Sequence, residues 1–154
     1  MDKRTDTLLE TSIGIDASPA RVWALVANPR NMARWSPHVA KVILRGAIQK
    51  GATALNINRD GAKVWPTRSK IITFDPPREY AIRVRENNAV WSFHLEPDGA
   101  GTRLTQRRDT SAGTTRLSDF LVAKIFGGKP EFDKTLLRGM NETLRKIKAD
   151  AESR

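Results

Sequence analysis

Apolar and polar positions change their spacing along the chain, and each change marks an element. From Thr7 to Asp16 they come close to alternating, which predicts a strand. A helix follows: Ser18 can accept a first-turn N–H, Pro19 suits the first helical position, and Val22, Leu25 and Val26 make an apolar face with Trp23 beside it. Asn28-Pro29 repeats the cap-plus-proline signal, so a second short helix should run to Trp35 and stop at Ser36-Pro37. From His38 to Thr110 short runs are broken by turn chemistry, notably Asn58 to Gly61, Asp75-Pro76-Pro77, Asn87-Asn88 and Pro97 to Gly101. Strands are predicted over 38–46, 52–59, 63–74, 79–86, 89–96 and 102–110, and such short connections favour antiparallel neighbours. The period then lengthens. Pro130 opens a helix in which Phe132, Leu136, Met140, Leu144, Ile147 and Ala151 form one apolar stripe. Just before it, Leu117, Phe120, Leu121 and Ile125 predict a shorter amphipathic helix ended by Gly127-Gly128.

Composition narrows the chemistry. A chain of 154 residues fits one domain, 1–154, and needs no disulfides. With no cysteine, thiol catalysis, Cys-ligated zinc and iron–sulfur clusters are excluded. The N-terminal stretch lacks the apolar core of a secretory signal and no run reaches the roughly 20 apolar residues of a membrane span, so a soluble, cytoplasmic protein is expected. The net charge of +10 raises nucleic acid or an anionic membrane as partners. Its excess is spread as +3, +4 and +3 over residues 1–45, 46–114 and 115–154, with no basic tail. A stripe built from Arg83, Arg85, Arg103, Arg107 and Arg108 is the one assembled alternative, against ordinary solvated strand faces.

The order of elements and several words of the sequence resemble a known family. IDASPARVWALVANPRNMARWSP is similar to the opening of the START-like, SRPBCC helix-grip superfamily of polyketide cyclase/dehydrase and lipid-transport proteins. There, a strand ending in I-D-A-P leads to V-W and then to P-x-x-x-x-x-W-x-P. KGATALNINRDG, ITFDPPREYAIRV, WSFHLEPDGAGTRLTQRRD and LLRGMNETLRKIKADAE extend the likeness over nearly the whole chain. The resemblance implies an α+β helix-grip fold: about seven antiparallel strands in a curved sheet wrapped around a long C-terminal helix, with two short helices after the first strand. It also implies a hydrophobic cavity between sheet and helix, but no single activity, because fold does not fix chemistry.

Strand parity then assigns side chains to that cavity. Tyr80 and Ile82 alternate with Ala81 and Arg83 and face inward, as do Trp91 and Phe93 with Leu95, which leaves Ser92 and His94 outside. Trp65, Thr67, Ser69 and Ile71 form the inward set of the long strand, and the switch at Ile72 and Phe74 implies a bulge. For 52–59 the pattern is ambiguous: Leu55 and Ile57 argue for one face, whereas the resemblance turns Ala54, Asn56 and Asn58 inward. Leu136 and Met140 would close the space from the helix. Trp23 is expected in the core, and Trp35 is expected at a corner of the cavity in contact with ligand. Gln106 and Arg108 share the parity of Leu104; Arg108 could anchor a carboxylate or phenolate, or instead reach out to solvent.

Catalytic signals are sparse. Only His38 and His94 titrate near neutrality in the unperturbed state, and no third group is identifiable to orient either; His38 is the catalytic candidate, with a structural histidine as the alternative. No H-E-x-x-H, G-x-S-x-G, G-x-G-x-x-G or Walker pattern occurs, so neither a metal nor a cofactor is expected. The partner expected is a hydrophobic or aromatic small molecule, lipid- or polyketide-like. The alternative is a polyketide cyclase, aromatase or dehydratase in which His38 or Ser69 moves protons. No specific nucleic acid is expected; transient membrane contact and oligomeric state are left open.

Overall fold

The computed structural model describes residues 7–153. Strand β1 (Leu8–Ile15) leads to helix α1 (Pro19–Val26), a single 3-10 turn (Pro29–Asn31) and α2 (Met32–Trp35). A meander follows: β2 (Val39–Leu44), β3 (Thr53–Asp60), β4 (Lys63–Asp75), β5 (Glu79–Val84), β6 (Val90–Asp98) and β7 (Gly101–Asp109). Helices α3 (Arg116–Lys124) and α4 (Lys129–Glu152) end the chain. All seven strands lie in one curved antiparallel sheet of order β1-β7-β6-β5-β4-β3-β2, so β1 closes the meander at β7 through a long-range pairing. This is the α+β helix-grip architecture that the order of elements implied.

The local signals act where the sequence places them. Ser18 accepts from the Arg21 N–H at 3.2 Å, and Asn28 accepts from the Arg30 N–H at 3.1 Å, so both cap-plus-proline pairs start helical turns. Asn88 takes a φ of 60° in the β5–β6 turn, a conformation that Asn tolerates better than most residues. The register of β4 against β5 slips between Ile71 and Thr73, which is the bulge that the side-chain inversion at Ile72 implied. In β3, Leu55 is exposed while Ala54 is buried, so the Asn56 and Asn58 face turns inward and the apolar pair Leu55 and Ile57 outward.

Helix α4 is divided by function along its length. Its C-terminal half packs closely on β1 and against α1 and α2, and Leu144, Ile147 and Ala151 join Ile15, Val22, Val26, Leu95 and Leu104 in the core. Each fully buried Leu or Ile there contributes about 1.5–3 kcal/mol. Arg21 donates to the carbonyls of Ala151 and Ser153, satisfying the open end of the helix with a cation where the dipole favours one. The N-terminal half stands off the central strands, and the space left between them is the cavity.

Two expectations change. Trp35 is 1% exposed and belongs to the core; its indole N–H donates to Asp150 on α4 at 2.7 Å, so the ring is pinned under the helix and is not part of the cavity wall. In α3 no residue is buried, and Leu117, Phe120 and Ile125 stand 62%, 58% and 45% exposed, so the predicted helix forms but does not pack its apolar face. Near its ends Thr115 donates to the Glu86 carbonyl at 2.6 Å and Lys63 to the Ile125 carbonyl at 2.9 Å.

Candidate ligand cavity

Antiparallel register arranges the inner face of the sheet in rows, because directly opposed residues share a face. Asn58 lies opposite Trp65, and Asn56 opposite Thr67. Tyr80, Phe93 and Gln106 form another row, and Ile82, Trp91 and Arg108 the next. Across from them, α4 contributes Phe132, Leu136, Gly139 and Met140. The cavity volume is about 170 Å³. That is slightly above the roughly 150 Å³ of an apolar cavity able to hold benzene, so the space suits a compact ring system. Of the residues singled out by sequence, Asn58, Trp65, Thr67, Ser69, Tyr80, Ile82, Trp91, Phe93, Arg108, Leu136 and Met140 line it, together with His38; Trp35 does not.

Most polar groups on the wall answer one another. Asn58 donates to Thr67 Oγ1 at 2.9 Å and to the Trp65 carbonyl at 3.2 Å, and Asn56 donates to Ser69 Oγ at 3.1 Å. His38 bridges two elements: Nδ1 lies 3.3 Å from the Arg59 carbonyl and Nε2 3.3 Å from the Thr135 carbonyl. Both partners are backbone acceptors, so a proton on either ring nitrogen has a carbonyl to take it. The ring also presses on Gly139, where an added Cβ would come 2.5 Å from His38 Cδ2, so only glycine lets histidine and helix meet at this distance. Burial pushes the Tyr80 phenol above its ordinary pKa of 10.0, which keeps it protonated as a hydrogen-bond donor at neutral pH.

Arg108 differs from the rest. It is 7% exposed, and its guanidinium carbon lies 5.7 Å from the Trp91 ring centre and 5.6 Å from that of Phe132, a cation between two aromatic rings. Among the described residues, Arg108 Nε and Gln106 Oε1 are the buried side-chain polar atoms without a hydrogen-bond partner. Burial lowers the Arg108 pKa, and the charge of Asp133 opposes that shift without forming an ion pair. Parity had placed both side chains inward. The part of Phe132 could not be read from the sequence, because its stripe position marks it equally well as core; Phe126, 5.1 Å from Phe132 and 5.0 Å from Trp65, backs the same corner.

On the outer face, Ser92 Oγ is 2.9 Å from His94 Nε2 and Glu79 lies 3.5 Å from Nδ1, the hydrogen-bonding order of a nucleophile relay. Burial and the charge of Arg107 lower the His94 pKa, against the pull of Glu79. His94 and Glu79 are not on the cavity wall, and neighbouring strand N–H groups are committed to the ladder, which leaves none to stabilise an oxyanion. Among the described residues no group of three acidic or histidine side chains could hold a metal ion, and no helix is long and apolar enough to cross a membrane.

A model of the family described as polyketide cyclase/dehydrase and lipid transport matches residues 6–152. The chain belongs to that family. Solved structures share the fold. A polyketide cyclase-like protein of Corynebacterium glutamicum, Cgl2372, is 27% identical, with a TM-score of 0.66 over 94% of this chain and 91% of that one. The protein KanY is 17% identical, with a TM-score of 0.72 over 95% of this chain and 97% of that one. The di-domain aromatase/cyclase StfQ of the steffimycin biosynthetic pathway is 16% identical, with a TM-score of 0.73 over 97% of this chain. This chain spans 52% of the length of StfQ. No curated protein matches the chain in sequence.

Proposed function

We propose that this polyketide cyclase/dehydrase-family protein binds a compact, largely aromatic small molecule between the sheet and α4. The observation that carries the reading is the cavity walled by Trp65, Tyr80, Trp91, Phe93, Leu136 and Met140. Apolar burial supplies most of the affinity, about 2.5 kcal/mol for every 100 Å² of ligand surface removed from water. A long lipid or an extended polyketide chain exceeds about 170 Å³ and would extend beyond this space.

A second reading is favoured by the family description and by StfQ and BexL, both di-domain aromatase/cyclases with this fold. Under it, the cavity holds a reactive polyketide and Ser69 or His38 moves protons. The pairing of Ser69 with Asn56 and of His38 with two carbonyls supports binding over catalysis.

Native mass spectrometry of protein purified from its source tests both readings. Retention of an unaltered small aromatic molecule is the expected result. Conversion of an added linear polyketide into a cyclised product would replace the first reading with the second. Filling the cavity through Ile82→Trp should abolish retention in either case.

A further inference from the structure

The cavity wall carries two residues with a buried polar atom that nothing in the protein satisfies, and they lie two positions apart on one strand. Gln106 and Arg108 are separated by one residue on β7, so their backbones are about 7 Å apart and both side chains point inward. Gln106 is 2% exposed and Arg108 7%. Asn56, Asn58, Thr67 and Ser69 on the same wall hydrogen-bond to one another, so a buried polar group here ordinarily finds a partner. The carboxylate whose charge reaches Arg108, Asp133, is taken by Lys129. Trp91 and Phe132 flank the guanidinium, and what it lacks is a hydrogen-bond acceptor. A carboxylate matches the guanidinium fork with paired, charge-assisted hydrogen bonds. The open atom of Gln106 is an acceptor as assigned; with its amide turned over it would be a donor, and a hydroxyl group satisfies either arrangement.

We infer that the ligand is an aromatic hydroxy acid of one or two rings, its carboxylate held by Arg108 and its hydroxyl by Gln106, with the ring against Trp91 and Phe93. This rests on the small-molecule-binding reading above and names the chemical class that the cavity selects. Apolar walls set the size of the ligand, and these two side chains set its charge and direction.

Isothermal titration calorimetry with 4-hydroxybenzoate, its neutral amide 4-hydroxybenzamide, and benzoate tests the inference. The wild-type protein should prefer 4-hydroxybenzoate to the amide by at least tenfold, and that preference should survive raised salt, because the contact is buried. Arg108→Met should erase the preference for the acid while still binding the amide, and Gln106→Leu should erase the preference for 4-hydroxybenzoate over benzoate. Circular dichroism and thermal melts of each variant confirm that it is folded. Equal binding of acid and amide by the wild type, or an unchanged preference in folded Arg108→Met, overturns the inference and leaves the cavity reading standing. Failure of all three compounds to bind the folded wild-type protein overturns the inference, and the cavity reading then stands or falls on native mass spectrometry.

Discussion

Arg107 and Arg108 are adjacent in sequence and point to opposite faces of β7. On the outer face Arg107 pairs with Glu10, Ser12 bonds to Thr105 at 2.9 Å, and Ser92, His94 and Glu79 form a chain across two strands. On the inner face Arg108 and Gln106 keep unpaired atoms. The difference reverses what solvent access would suggest. Outside, an unpaired cation is solvated, and pairing it contributes only about 0–1 kcal/mol. Inside, an unpaired polar group costs about 1–3 kcal/mol, yet that is where the fold tolerates it. An arrangement that destabilises the empty protein makes physical sense if another molecule completes it.

Several variants would break or sharpen this contrast. The largest effect is expected on the inner face at a purely apolar position: Leu104, fully buried, should lose about 2–5 kcal/mol on Leu104→Ala in urea unfolding. Arg108→Met keeps the volume and removes the buried charge, so the unliganded protein should gain about 1–3 kcal/mol in the same assay. A loss of that size would mean that Arg108 has a partner within the protein. The outer neighbour should matter least among the three, with Arg107→Gln changing stability by at most about 1 kcal/mol and less at high salt.

The smallest effect expected is a dependence on pH. His94 has a folded-state pKa below its ordinary 6.5, chiefly through burial and then through Arg107. The unfolded chain therefore takes up the proton more readily, so the stabilisation is complete above about pH 6.5 and fades as pH falls toward the folded-state pKa. Melting temperatures recorded between pH 7.5 and 5 should decline in the wild type and decline less in His94→Gln. Identical slopes would assign the pH dependence to other groups.

Much of this arrangement could be read along the chain. Alternation in β5, β6 and β7 gave the inner and outer sets directly, because side chains on a strand can only alternate. The inversion at Ile72 announced the bulge, and the caps at Ser18 and Asn28 announced the helical turns. At β3 the pattern was ambiguous, since Leu55 and Ile57 are apolar yet face outward, and the family resemblance placed Asn56 and Asn58 correctly. Trp35 was misplaced because an aromatic ring at a helix end fits a cavity corner and a core equally well. What decides between them is Asp150, 115 residues away, whose carboxylate takes the indole N–H. Likewise α3 has the periodicity of a packed helix and buries none of its residues.

The sequence by itself determined the elements, their order and the inner and outer faces of β5, β6 and β7, because those follow from backbone geometry over a few neighbouring positions. Only the tertiary structure decided which buried polar groups meet. Asn58 finds Thr67 across a strand pair, whereas Arg108 finds two aromatic rings and no acceptor. Whether a buried donor is satisfied depends on distances between segments remote in the chain, and no local pattern of residues carries that information.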